Sequence, residues 1–401
     1  MRKVIMIGCD LHDGSMLLRV AVDRAGAETL QVKNARQGRQ AMIAELQRRA
    51  QALGGARIAF AYEASGQGFG LYDELTAAGI ECYVLAPTKI ARSQRQRSQK
   101  TDERDAQQLL ELLRGYILAG NRLPTVWIPS AQTRDDRELV RMRLDVGEKI
   151  SALKAQVQSL LKRYQLRRPE ETGKGWTRRF WAWLRGELAE SSRSPLGPGG
   201  KAALASLLRQ LPWLEAEQVR LDEQVLLLAW SPRYAAAIAE ITKLCGVGVL
   251  TALVFLSEMG ELGRFANRRQ IGAYLGLVPS SQESGEATDH KGHITHQGSS
   301  RVRKVLCQAT WARVRHDPQE KAAYERIKAK NPKHRKIAVV ASMRRLAVRM
   351  WYRGLAASAA WPFGFPAMAA GNGGKQAVPA SSRGRTQQNG RIGFSEEWQG
   401  K

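Results

Sequence analysis

Residues 4–22 read VIMIGCDLHDGSMLLRVAV, two apolar runs on either side of the turn-forming segment HDGS. Runs of this length bounded by turn residues predict strands, Val4 to Leu11 and Met16 to Val22. Outward from this pair the pattern continues with a short strand near Thr29 to Val32 and a helix from Arg36 to Leu53. A strand (Arg57 to Tyr62), a helix (Phe69 to Ala78), a strand (Glu81 to Leu85) and a helix from Asp102 onward follow. Three consecutive strands and then alternating helix and strand give a mixed sheet covered by helices, an α/β domain expected over residues 1–125.

Acidic residues fall at telling points of this pattern. Asp10 ends the first strand in GCDLH and Glu63 closes the fourth in AYEAS, so neighbouring strands bring both carboxylates to one edge of the sheet. Asp102 and Asp105, three apart in KTDERDA, share one face of the helix they open. Phosphodiester chemistry uses such a cluster because hard oxygen ligands hold Mg²⁺, which stabilises charge on the attacking and leaving oxygens. Taken singly, each acid reads as a solvated strand end or as a helix N-terminal residue favoured by the dipole. The four on this topology point to a metal site. Just upstream, Lys89, Arg92, Arg95, Arg97 and Lys100 form an acid-free basic run that suits a phosphate backbone, the plain alternative being a solvated loop.

Charge points the same way. Lysine and arginine number 63 against 37 acids, a formal charge of +26 over 401 residues, which favours a polyanionic partner. The four cysteines, Cys9, Cys82, Cys245 and Cys307, show no paired spacing and read as reduced packing residues. There is no charged-then-apolar leader and no apolar run of about 18 residues, so the expected compartment is the cytoplasm and no membrane is expected.

The rest of the chain is helical in pattern. Leu139, Met142, Val146, Ile150, Leu153, Val157, Leu160 and Tyr164 recur at spacings of three and four, as in a coiled coil that pairs two protomers. Residues 126–240 are thus expected to form a coiled-coil and helical region, interrupted near residues 167–200 by a flexible insertion containing SSRSPLGPGG, with an apolar helix from Ala202 to Trp230. Trp176, Trp181 and Trp183 sit there among Arg178, Arg179 and Arg185, an arrangement open to base stacking but more usual for burial. Residues 241–356 read as a second, mainly helical domain, and 357–401 as a disordered tail. In LCGVGVLTA, Gly246 and Gly248 mark a turn that can offer backbone N–H groups to a phosphate or simply join two helices. The polar loop LGLVPSSQESGEATDHKGHITHQGSSRVRKVL carries Ser280, Ser281, Ser284, Ser299 and Ser300, among which loop chemistry does not choose, with Lys291, Arg301 and Arg303 available to phosphate charge. His290, His293 and His296 read as surface or phosphate-contacting residues rather than a zinc site. The closing helices suggest a packed stripe of Ile337, Val340, Met343, Ala347 and Met350 under a basic outer face that includes Arg313, Arg345 and Arg349.

With GCDLH, AYEAS and KTDERDAQQLLELL in the first block, and CGVGVLTA, FANRRQIGAYLGLVPSSQESG, GHITHQG and KIAVVASMRRLAVRMWY in the second, the chain resembles the DEDD transposases of bacterial insertion sequences, the bridge-RNA-guided serine recombinases. The resemblance implies an RNase H-like (RuvC-like) N-terminal domain with Asp10, Glu63, Asp102 and Asp105 as catalytic metal ligands, and a C-terminal domain with Ser284 as nucleophile. It further implies donor and target DNA, a noncoding bridge RNA, a covalent phosphoserine link and assembly as dimers or tetramers through the coiled coil. Three positions depart from the family pattern: Cys245 stands where proline is common, His296 where lysine is usual, and Ser299 where asparagine is usual. A RuvC-like structure-selective nuclease would use the same acids with a metal-activated water, and a non-catalytic nucleic-acid-binding protein would need only the charge.

Overall fold

In a computed structural model, the described residues are 3–90, 101–189, 193–282, 290–330, 332 and 335–359. They form two compact units that divide between Leu139 and Val140. Of the tail expected over 357–401, residues 357–359 belong to the closing helix, and residues 360–401 lie outside the described residues, as do the basic positions Arg92, Arg95, Arg97 and Lys100. No helix among the described residues is long and apolar enough to cross a membrane.

The first unit is built on a five-stranded sheet: β1 (Val4–Leu11), β2 (Ser15–Val22), β3 (Glu28–Lys33), β4 (Arg57–Glu63) and β5 (Glu81–Leu85), ordered β3-β2-β1-β4-β5. β1 runs antiparallel to β2 and parallel to β4, and β4 is parallel to β5. This is the mixed sheet of an RNase H-like fold. Burial explains the patterns: β1 is central and covered on both faces, so it is apolar almost throughout, whereas β2 alternates and the edge strand β3 is largely exposed. Helices α1 (Arg36–Ala52) and α2 (Gly70–Ala77) cover the face made by Ile5, Ile7, Cys9, Phe60 and Tyr62. Helix α3 (Asp102–Ala119) covers the other, where Leu109, Leu110 and Leu113 meet Val4, Met6, Ala59 and Ala61.

On that second face the side chains are small where α3 comes closest. A Cβ on Gly8 would lie 2.2 Å from the Ala106 carbonyl oxygen and 2.3 Å from the Leu110 nitrogen. Only a glycine lets the helix backbone rest directly on the central strand. Thr101 caps α3 by accepting from the Arg104 N–H, and Gly120, at φ 70°, ends it.

The second unit begins within α4 (Ala131–Arg163), a single helix that runs across the division. Its seam residues Val146, Ile150, Leu153, Val157 and Leu160 are buried, but against elements of the same chain: α5 (Arg178–Gly186) and α6 (Pro198–Ala229). Ion pairs fix the α4–α6 register. Arg143 grips Asp222 through two bonds of 2.6 and 3.0 Å, and Lys154 meets Glu215 at 2.7 Å, so the two helices run antiparallel as a hairpin. The seam predicted to join protomers is therefore filled in cis, and Met142 of that series is exposed. The segment expected to be a flexible insertion carries α5 and the first turn of α6, with Phe180, Leu184 and Leu196 buried against the hairpin; residues 190–192 lie outside the described ones. The glycines and prolines that suggested a linker instead start a helix, with Gly197 at its N-cap and Pro198 in its first turn, where a missing N–H costs nothing.

Helices α7 (Ala235–Ile241), α8 (Val249–Met259), α9 (Arg268–Tyr274), α10 (Ser300–His316), α11 (Pro318–Lys330) and α12 (Arg335–Ala359), with the hairpin β6 (Pro279–Gln282) and β7 (His290–Ile294), complete the unit. α12 packs against α7, α9, α10 and α11 through Met343, Leu346, Ala347, Met350 and Trp351, and the Trp351 indole donates to the Leu262 carbonyl at 2.9 Å. Ile337, placed in the stripe by its spacing, is exposed. The expected basic outer face is partly an internal network: Arg313 is buried, and with Arg345 and Arg349 it surrounds the buried carboxylate of Glu320.

Two outcomes follow. Gly8→Ala should cost about 3 kcal/mol of stability in urea unfolding, since the added methyl meets rigid backbone, while Gly14→Ala, with open space around it, should be near neutral; equal stabilities would refute the close-approach account. Leu153→Glu combined with Leu160→Glu should lower the melting temperature sharply, because each change buries an unpaired charge within one chain. An unchanged melting temperature together with weaker self-association by sedimentation would instead make the seam a contact between protomers.

Candidate active site

The parity of the sheet assembles the acids. Even-numbered residues of β1 face α3, and the register that sets Cys9 beside Tyr62 brings Asp10 level with Glu63 at the same edge and on the same face. The direct contact over Gly8 then delivers the first turn of α3, with Asp102 and Asp105, to that edge. Asp102, Glu103 and Asp105 all sit in the first turn, where the helix dipole favours negative charge.

At the centre lies a residue that the acidic spacing did not reveal. His12 Nε2 is 3.2 Å from Asp10 Oδ2 and 3.4 Å from Asp102 Oδ1, and ligand atoms of the three residues all lie within 4.8 Å of one another. Asp10 is mostly covered, while His12 and Asp102 open to solvent. The signal was available: His12 follows Asp10 by two, so a continued strand puts both on one face. Glu63 and Asp105 border this triplet by their places on β4 and α3 but do not join it. The donor set, two carboxylate oxygens and an imidazole nitrogen, suits a divalent cation: the carboxylates fit Mg²⁺ and the imidazole adds affinity for Mn²⁺.

The other predicted contacts are distributed as follows. Lys89 closes a 3-10 turn after β5, at the head of the basic run. Gly246 has φ 77°, and a Cβ there would come within 2.8 Å of the Ala309 carbonyl oxygen, so the turn needs glycine on both counts. Arg313 braces that turn by donating to the Cys245 carbonyl at 3.1 Å. Gly248 is the N-cap of α8, whose first N–H groups are therefore open to an acceptor. Cys245, read as a packing residue, is exposed, while Cys9 is fully buried and burial pushes its thiol well up.

Two arginines expected to meet phosphate have partners inside the chain. Arg301 reaches Asp145 at 3.0 Å, and Arg303 Nη1 donates to the carbonyls of Leu275, Gln297 and Gly298, burial lowering its pKa from the usual arginine range. Lys291 lies in β7, paired with Ser281 of β6. Ser284 lies outside the described residues, in the segment 283–289 that joins these two strands. Among the alternative serines, Ser280 donates to the His293 carbonyl and Ser299 caps α10 by accepting from the Val302 N–H. Both hydroxyls thus have structural work.

Comparison with known proteins gives concordant matches. Residues 238–325 match the family described as Transposase IS116/IS110/IS902, and residues 7–166 match the DEDD transposase family of IS110. Two proteins of Sinorhizobium fredii that carry a transposase name are similar: y4qE, 32% identical over 63% of this chain and 58% of its own length, and y4rJ, 30% identical over 69% of this chain and 72% of its own. The transposase for insertion sequence element IS1111A of Coxiella burnetii is 26% identical over 63% of this chain and 65% of that protein. The chain thus spans under two thirds of the length of y4qE and of the IS1111A protein. With both matched stretches in order along one chain, and the acids of the first gathered at one sheet edge, the protein belongs to the IS110 family of DEDD transposases.

Proposed function

We propose that this chain cuts and rejoins DNA strands as the transposase of an insertion sequence, taking donor and target DNA, guided by a noncoding bridge RNA and working as a dimer or tetramer. The observation that carries the reading is the convergence of Asp10, His12 and Asp102 within 4.8 Å at the edge where β1 meets α3. Asp10, Glu63, Asp102 and Asp105 hold a divalent cation, Mg²⁺ in the cell, and His12 contributes a nitrogen to the same site. The cation supplies Lewis-acid stabilisation of charge developing on phosphate oxygens.

In this reading Ser284 is the nucleophile. Its hydroxyl oxygen bonds to phosphorus as the bond from phosphorus to the departing sugar oxygen breaks, and that oxygen takes up a proton. The phosphodiester energy is retained in a phosphoserine linkage, so attack by a second DNA hydroxyl restores the serine and seals a new strand. Gly285 beside it allows close approach of the DNA backbone. Gly246, Gly248, Lys89, Arg92, Arg95, Arg97, Lys100 and Lys291 serve the phosphates. Arg301 and Arg303, held by Asp145 and by three carbonyls, position the β7–α10 segment while keeping their charge near it.

Two measurements test this. Mn²⁺ bound to the wild-type protein should show coupling to a nitrogen nucleus in pulsed electron paramagnetic resonance; His12→Ala should lose that coupling and bind about 10-fold more weakly, equivalent to about 1.4 kcal/mol. Wild-type Mn²⁺ without nitrogen coupling would remove His12 from the ligand set, and undiminished binding by the double variant Asp10→Ala with Asp102→Ala would sink the metal site. For the serine, labelled DNA on a denaturing gel should give a protease-sensitive covalent band with wild type and with Ser281→Ala, and none with Ser284→Ala. Metal-dependent cutting by wild type that never passes through such a band would make the protein a nuclease.

A further inference from the structure

The distal end of the α4–α6 hairpin concentrates charge that the protein leaves unneutralised. Residues 162–185 carry eight cations, Lys162, Arg163, Arg167, Arg168, Lys174, Arg178, Arg179 and Arg185, against two acids, Glu170 and Glu171. That four-to-one excess far exceeds the 63 to 37 of the whole chain. The hairpin shaft behaves differently: Arg141 is paired with Glu258, Arg143 with Asp222 and Lys154 with Glu215. None of the eight tip cations forms an ion pair among the described residues, and all but Arg168 are exposed.

The tip is nonetheless rigidly built. Phe180 and Leu184 are buried, Trp176 and Trp183 pack on Phe180 with ring centroids 5.2 and 5.5 Å away, and Arg168 lies 4.0 Å over the Phe180 ring while donating to Thr172. The aromatic rings are thus spent on packing rather than offered to bases, and what α5 presents outward is Arg178, Arg179 and Arg185. Between the last turn of α4 and the start of α5 runs an open cleft of about 520 Å³, floored by Leu161, Leu166 and Phe180 and edged by Lys162, Arg167 and Arg168 together with Gln158 and Gln165. Amide and guanidinium donors over a packed cationic surface suit a phosphate backbone, and the half-buried Trp176, Trp181 and Trp183 are engaged with Phe180, with one another and with Lys154 and Arg185.

We infer that this lobe is a docking surface for duplex DNA, gripping the backbone without reading sequence. The lobe falls almost wholly outside the two stretches that match the transposase families, which end at residue 166 and resume at 238. The choice of DNA rests on the transposase reading, but binding at the lobe needs neither the metal nor Ser284, so the two can fail separately. Mutual repulsion among seven exposed cations is an electrostatic load that a polyanion relieves, and each phosphate engaged returns a counterion to solution.

The test uses the full-length protein and a fluorescent 30-base-pair duplex of arbitrary sequence, with anisotropy measured across a salt series. The variant Arg167→Gln, Lys174→Gln, Arg178→Gln and Arg179→Gln changes exposed side chains only, and its melting temperature checks the fold. A control removes four exposed cations of the first unit: Arg24→Gln, Lys33→Gln, Arg36→Gln and Arg122→Gln. The lobe variant should lose at least 10-fold in affinity near physiological salt. Its slope of log affinity against log salt should become shallower by about 3 to 4, at roughly 0.9 per phosphate contact. An unchanged slope, or equal losses in lobe and control variants, overturns the proposal. So does a loss seen only with an RNA hairpin of similar length while duplex DNA binding is untouched, which would make RNA the partner of this surface.

Discussion

The approach of α3 to β1 across Gly8 governs the end of the sheet where the acids gather. A strand residue with any side chain would hold the helix off by the width of that group, and the first turn of α3 would shift with it. The β1–β4 register sets Asp10 beside Glu63, and this one backbone-on-backbone contact sets how far Asp102 and Asp105 lie from them. Ala59 and Ala61, small residues of the adjoining strand on the same face, extend the shallow trough in which the helix lies. The face of the sheet away from α3 is packed with Ile, Phe and Tyr and would not admit such an approach. The asymmetry between the two faces thus gives the close helix approach, and with it the acids, to one face and the bulky packing to the other.

Much of this was legible before any coordinates. A mixed sheet covered by helices followed from three strands preceding the first helix, though not its strand order, and the four acids stood out because each fell at an element end. His12 does not stand out beside four carboxylates, although its spacing from Asp10 carries the same information. The second unit was harder for a physical reason. A heptad seam states that a helix has a partner but not whether the partner is the same chain. Here Arg143 with Asp222 and Lys154 with Glu215 decide for the same chain, and nothing in α4 alone announces that. The segment around SSRSPLGPGG misled for a related reason: its aromatic residues found a long-range partner in the hairpin, which outweighed the local turn signals. Arg301, Arg303 and Arg313 show the same limit for charge, since a basic residue near a loop reads as a phosphate ligand until its carboxylate or carbonyl partners are seen.

The departures from the family pattern find local accommodation. Ser299, in place of the usual asparagine, caps α10, a task for which serine and asparagine are nearly equivalent. His296 occupies the left-handed region at φ 55°, an uncommon conformation for a non-glycine residue in which histidine is enriched. Cys245, in place of a proline, precedes the glycine turn, and its carbonyl is held by Arg313. The turn is thus braced from α10 rather than by a proline ring, and Arg313 in turn rests on Glu320.

The hairpin also has the proportions of a lever. From Arg141, clasped by Glu258, to Arg163 at its last turn, α4 rises about 33 Å at 1.5 Å per residue, and antiparallel packing on α6 stiffens that length. A rotation of about ten degrees at the clasp would therefore sweep the cations of the tip through roughly 6 Å, further than the 3.4 Å step between successive base pairs along a strand. With duplex DNA docked at the tip, small angular adjustments at the base would amount to whole steps along a helical track, without any change in the packing of the lobe that carries the charge.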